Sequence, residues 1–157
     1  MGLLEDVLDT QDKVSQEVAL QALLGQCLVQ IRGYALSDVQ QAFHRAWELI
    51  DQIGETPQYF QVMDGLHAFY WLRGEYQSAR SVAEQNLEAA QLGQDPVRFR
   101  IAHRQLGCIM MFMGDLLPAA EHLGQSISDY DLDQERSLTT IYGQSPSSTL
   151  NIWLGFT

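Results

Sequence analysis

FYWLRGEYQSARSVAEQ, residues 69–85, and MMFMGDLLPAAEHLGQ, residues 110–125, decide the fold when read one above the other. Each stretch runs from an apolar segment into a glycine and an acidic residue. A small side chain follows five positions after the glycine, Ala79 after Gly74 and Ala119 after Gly114. Glycine takes the left-handed conformation that closes a helix end. A small residue one turn into the next helix lets that helix lie close against its predecessor. The unit is therefore a helical hairpin. Gly33, Gly74 and Gly114 stand 41 and 40 residues apart, the fixed period of a repeat architecture.

Apolar residues recur at helical spacing through the chain, and strict alternation over five or more residues is scarce. Leu20, Leu24, Cys27, Leu28 and Ile31 form one stripe; Val39, Ala42, Phe43, Ala46, Ile50 and Ile53 form the next. Tyr59, Met63, Leu66 and Tyr70 make a third, and Ala79, Val82, Ala83, Leu87 and Ala90 a fourth. The fifth is Ala102, Leu106, Ile109 and Met113, the sixth Leu116, Ala119, Ala120, Leu123 and Ile127. Thr56-Pro57, Asp95-Pro96 and Ser145-Pro146 each pair an N-cap side chain with a proline suited to the first helical position, so helices are expected to start there. Gly54, Gly74, Gly93 and Gly114 are expected to close helices. Pro118 falls in the first turn after an Asp115 cap, where its missing N–H costs no helical bond.

These signals predict one all-α domain over 1–157: an α-α superhelix of about three hairpins at roughly 14–54, 56–93 and 95–130. A loop at 131–145 and a truncated C-terminal helix at 146–157 follow. Apolar side chains crowd that last stretch (Leu150, Ile152, Trp153, Leu154, Phe156), which reads as a cut edge because natural terminal repeats carry a polar cap.

Nine basic against 20 acidic side chains leave a net charge of −11. With one lysine, Lys13, and eight arginines, the chain offers little to release counterions from a phosphate backbone, so nucleic acid and anionic membrane are excluded as expected partners. The longest purely apolar run, Cys108 to Met113, is far short of the roughly 20 residues of a bilayer crossing. Acidic residues at the N-terminus argue against a secretory signal. Cys27 and Cys108 lie 81 positions apart in apolar helical patterns and read as small buried hydrophobes in a reducing cytoplasm.

Leu106-Gly107, Gly114 and Ala119 resemble the tetratricopeptide repeat motif, as do Gly74, Tyr76 and Ala79 one repeat earlier. Leu66 takes the motif's leucine position with His67 after it. The period near 40 against the standard 34 implies a longer-armed variant. ELIDQIGETPQYFQVMDGLHAFYWLRGEYQSARSVAEQ (48–85) and RSLTTIYGQSPSS (136–148) also resemble the repeat region that follows the ATPase module in large bacterial signalling proteins. Such proteins join a predicted AAA or STAND-type ATPase to a cyclase, a kinase or a DNA-binding output domain. The resemblance implies a middle piece of a multidomain protein, with a final helix continuing past Thr157. It further implies that the first helix of each hairpin lines a concave groove. Matching the motif residue by residue places Gln61, Asp64, Ala68 and Trp71 beside Arg104, Cys108 and Met111 as candidate partner contacts. Chaperone-type repeats hold an acidic tail with several lysines, and none follows Lys13 here.

Reactive chemistry finds no pattern. Asp129, Asp131, Asp133 and Glu135 alternate like a calcium loop, but Gln134 stands where glycine is required and Thr140 where the bidentate Glu belongs. His44, His67, His103 and His122 lack metal-ligand spacing and read as satisfied histidines. No nucleophile elbow or phosphate loop is present, so no catalytic residue, cofactor or metal is expected. The expected function is a non-catalytic scaffold for protein, peptide or interdomain contacts, the regulatory segment of an ATPase-linked signalling protein. A free-standing peptide-binding adaptor and, further off, a small all-α enzyme are the alternatives. Apolar repeat ends left without a neighbour could also drive homodimerisation.

Overall fold

The computed structural model describes residues 2–33, 36–54 and 56–127, with side chains from residue 11 onward. The described residues are all helix and turn: α1 (Gly2–Arg32), α2 (Ser37–Ile53), α3 (Tyr59–Leu72), α4 (Tyr76–Leu92), α5 (Pro96–Met113) and α6 (Leu116–Ile127). The chain divides into two compact units, 1–79 and 80–157. The expected loop at 131–145, the partial helix at 146–157, its Ser145-Pro146 cap and the acidic run from Asp129 lie outside the described residues.

The first five helices are closed on one cadence. Positive φ falls at Gly33, Gly54, Gly74, Gln94 and Gly114, intervals of 21, 20, 20 and 20 residues. The 40-residue period is thus two half-steps, each a helix and its closing turn. At three turns the backbone pattern is the same: Glu75 N–H donates to Tyr70 O (2.9 Å), Asp95 to Ala90 O (3.0 Å) and Asp115 to Met110 O (2.9 Å). These bonds satisfy carbonyls that the helix ends would otherwise leave open. The expected closing role of Gly93 shifts by one position. Gln94, at φ 50°, takes the left-handed place that glycine holds in the neighbouring turns.

Asp95 caps α5 as its sequence predicts, its Oδ1 accepting from the N–H groups of Val97 (3.0 Å) and Arg98 (3.1 Å). Thr56-Pro57 does not start a helix directly. It forms a turn in which Tyr59 N–H donates to Thr56 O (3.0 Å), and α3 begins at Tyr59.

In the first unit α1 packs on α2 and α2 on α3, with a lesser contact between α1 and α3. Val39, Ala42, Phe43, Ala46, Leu49 and Ile50 are buried along α2, close to the expected stripe. On α1 the expected stripe is the wrong one. Val18, Ala22 and Gly25 are buried, whereas Leu20, Leu24, Cys27 and Ile31 are exposed. The reason is the Phe43 ring: a Cβ placed on Gly25 would stand 2.8 Å from it, and one placed on Gly65 of α3 closer still. A phenyl ring held between two helices requires small residues on both, so the leucines of α1 turn outward.

The second unit repeats the device with the roles exchanged. α5 packs on α6, and a Cβ on Gly107 would meet Leu123 Cγ at 2.7 Å and the Ala119 carbonyl oxygen at 3.1 Å. Ala119 and Leu123 are fully buried, as expected; Leu116, Ala120 and Ile127 of the same expected stripe are exposed. Asn86 of α4 is tied to Gln105 of α5 by a buried hydrogen bond, Nδ2 donating to Oε1 at 3.0 Å.

Alanine is favoured over glycine in a helix by about 1 kcal/mol, yet Gly65→Ala forces a methyl into the Phe43 ring, and overpacking costs about 1–3 kcal/mol. Gly65→Ala should therefore lower the melting temperature, and the loss should shrink or reverse in a Phe43→Leu background. Leu106, fully buried in α5, should cost about 2–5 kcal/mol on replacement by alanine, measured by urea denaturation.

Candidate functional site

α3 is buried over most of its circumference. Phe60, Val62, Met63, Gly65, Leu66, His67 and Phe69 are all covered. Gln61, Asp64, Ala68 and Trp71 are half-buried between them. Their spacing of three, four and three residues puts them in one strip along the helix. The four residues matched to a groove on α3 are thus brought together, with Trp71 at the end where its ring lies 6.2 Å from that of His67. Tyr70, on another side of α3, is anchored to α2: its hydroxyl is 2.7 Å from His44 Nε2, and the two rings meet edge to face.

On α5 the matched residues divide. Arg104 and Met111 are half-buried, while Cys108 is buried. Of the matched residues on this helix, a partner could therefore touch Arg104 and Met111. Burial pushes the Cys108 thiol up to about 11 against a smaller opposing pull from the Arg104 charge, so it stays protonated and inert at neutral pH. Arg104 carries a buried Nε that has no hydrogen-bond partner among the described residues. The expectation that Cys27 is a buried hydrophobe is corrected by its exposure.

Two histidines that the sequence left separate meet in the second unit. His103 of α5 and His122 of α6 place their Nδ1 atoms 2.9 Å apart, with ring centroids at 4.9 Å, and the Phe99 ring lies 4.3 Å from that of His103. An N···N contact of that length holds one proton between two rings: one Nδ1 donates and the other accepts. Burial, then the neighbouring His122, lowers the His103 pKa. Burial likewise lowers that of His122, with Arg80 adding to the effect and Glu121 and Glu84 opposing it. Among the described residues no group of three or more His, Cys, Asp or Glu is placed to hold a metal ion. Nor, among them, is any helix long and apolar enough to cross a membrane.

No family model matches the chain, and neither does any curated protein or solved structure.

The histidine pair makes stability depend on pH with a fixed sign. Both folded pKa values lie below the ordinary value of 6.5, so under acid the unfolded chain takes up protons that the folded chain resists. The pair's contribution is complete above pH 6.5 and is lost as the pH falls toward the lowered folded values. Thermal melts between pH 8 and 5 should show a drop in melting temperature below about 6.5, the ordinary histidine range. His122→Gln should flatten that drop.

Proposed function

We propose that this chain is a non-catalytic helical-hairpin scaffold for protein–protein or interdomain contact. The observation that carries the reading is the strip on α3. Gln61, Asp64, Ala68 and Trp71 form a half-buried strip on a helix most of whose other positions are covered, and they combine a large aromatic with an acid and an amide. Aromatic anchors flanked by polar groups are the composition of binding hot spots. Separately, in the other unit, α5 offers Arg104 and Met111, a cation and a deformable apolar side chain, both half-buried. The buried, protonated Cys108 thiol is not placed to act as a nucleophile.

More specifically, the scaffold is the tetratricopeptide-like regulatory segment of a cytoplasmic signalling protein carrying a predicted AAA or STAND-type ATPase. The resemblance of residues 48–85 and 136–148 supports this narrower reading, and the acidic surface is compatible with it because it disfavours nucleic acid. In that setting the partner of the α3 strip is another domain of the same polypeptide.

The coding sequence on either side tests the narrower reading: an upstream P-loop ATPase is expected, and stop codons on both sides would favour a free-standing adaptor. Within the parent protein, Trp71→Ala should weaken the interdomain contact by about tenfold or more, the loss typical of an aromatic hot spot. The helical circular dichroism should stay unchanged. Output activity that responds to ATP identically in wild type and Trp71→Ala would count against the strip as the contact.

A further inference from the structure

Neither His103 nor His122 has a second ligand at the right spacing on its own helix, yet the fold of the second unit brings their two Nδ1 atoms together from neighbouring helices. Packing holds them there. One turn along α5 from His103, Gly107 lies against Leu123 and the Ala119 carbonyl of α6, and that close contact fixes the spacing of the two helices where the rings meet. The Phe99 ring restrains that of His103, its centroid 4.3 Å away.

A separation of 2.9 Å suits a shared proton, and it also suits a shared metal ion. Imidazole nitrogens bind first-row divalent ions at about 2.0 Å, so two of them 90° apart on one ion stand about 2.8 Å from each other, and two tetrahedral ligands about 3.3 Å. The observed distance matches the right-angled pair. We propose that His103 and His122 form a two-histidine site for a tetragonal or octahedral divalent transition-metal ion, of the Ni(II) or Cu(II) class, that bridges α5 and α6. Among the described residues no third His, Cys, Asp or Glu is placed to complete the set, so the ion keeps water in its other positions. His122 is only half-buried, which leaves one edge of the site open to that water.

Charge favours a cation here. Glu84 and Glu121 act on His122 against one arginine, Arg80, which Glu84 already holds at 2.8 Å, in a chain of net charge −11. Burial keeps both rings neutral at pH 7, so an arriving ion meets lone pairs rather than imidazolium. On binding, the proton between the two Nδ1 atoms gives way to the metal. The ring that donated it keeps a single N–H by carrying it on Nε2, and no net proton is released. The bound ion ties α6 to α5 and makes the stability of the second unit metal-dependent.

The experiment is a titration of the full chain, without an affinity tag, with Ni(II), chosen over Cu(II) because the exposed Cys27 is open to copper-driven oxidation. Calorimetry at about pH 7.5, above the ordinary histidine range, should show one ion per chain. His122→Gln should bind at least about tenfold more weakly, the scale on which a disturbed ligand set acts. The melting temperature of the wild type should rise with Ni(II), and that of His122→Gln should not. A second readout needs no variant: in proton NMR of the wild type, the paramagnetic ion should broaden the ring signals of His103 and His122 before those of His44 and His67. No saturable binding below about 1 mM, a His122→Gln variant that binds as tightly as wild type, or broadening that begins at His44 or His67 would overturn the proposal. None of these outcomes bears on the α3 strip in the other unit, so the scaffold reading stands or falls separately.

Discussion

A phenyl ring caught between two glycines sets the geometry of the first unit. Phe43 of α2 is buried against Gly25 of α1 and Gly65 of α3, at separations that leave no room for a Cβ on either. Interiors pack at crystal density, so a ring of that size dictates which residues may face it. On α1 it dictates small ones: Val18, Ala22 and Gly25 turn inward and the leucines outward. On α3 it fixes which side faces α2, and thereby which strip, Gln61 to Trp71, is left half-open. The second unit reaches the same close approach with a leucine. Leu123 and the Ala119 carbonyl of α6 press on Gly107 of α5, and His103 and His122 are brought within hydrogen-bond distance on that same helix pair.

Much of the architecture was legible because turn chemistry is local. Gly33, Gly54, Gly74 and Gly114 close helices as expected, and Asp95 caps α5 through its own side chain. The closures fall every 20 residues, and a 40-residue repeat was the visible half of that rhythm. Gly93 misled because the left-handed position is Gln94, and a search for glycine passes over a residue that adopts the conformation against its preference. Thr56-Pro57 misled because a good cap followed by proline also suits a turn.

Faces were harder to read than elements. On α1 side-chain size alone ranks leucine above alanine and glycine as a core residue. Close approach reverses that ranking, and only the partner residue, Phe43, reveals it. The strip on α3 is legible from the repeat motif, and two of its four positions, Gln61 and Asp64, are polar groups that a core disfavours. The same matching named Cys108, which is buried. The histidine pair is not legible from spacing within one helix. His103 and His122 instead lie eleven residues before Gly114 and eight after it, nearly equidistant from the turn that folds α6 back on α5. Rough equidistance from a left-handed turn is the signal that would have found it.

The most direct measurement is the proton NMR of the three residues at the first unit's centre. The account predicts nuclear Overhauser contacts from the Phe43 ring protons to the α-protons of both Gly25 and Gly65, with those α-protons displaced by the ring current. Glycine α-protons at ordinary shifts, with no Overhauser contact to the ring from either helix, would contradict it.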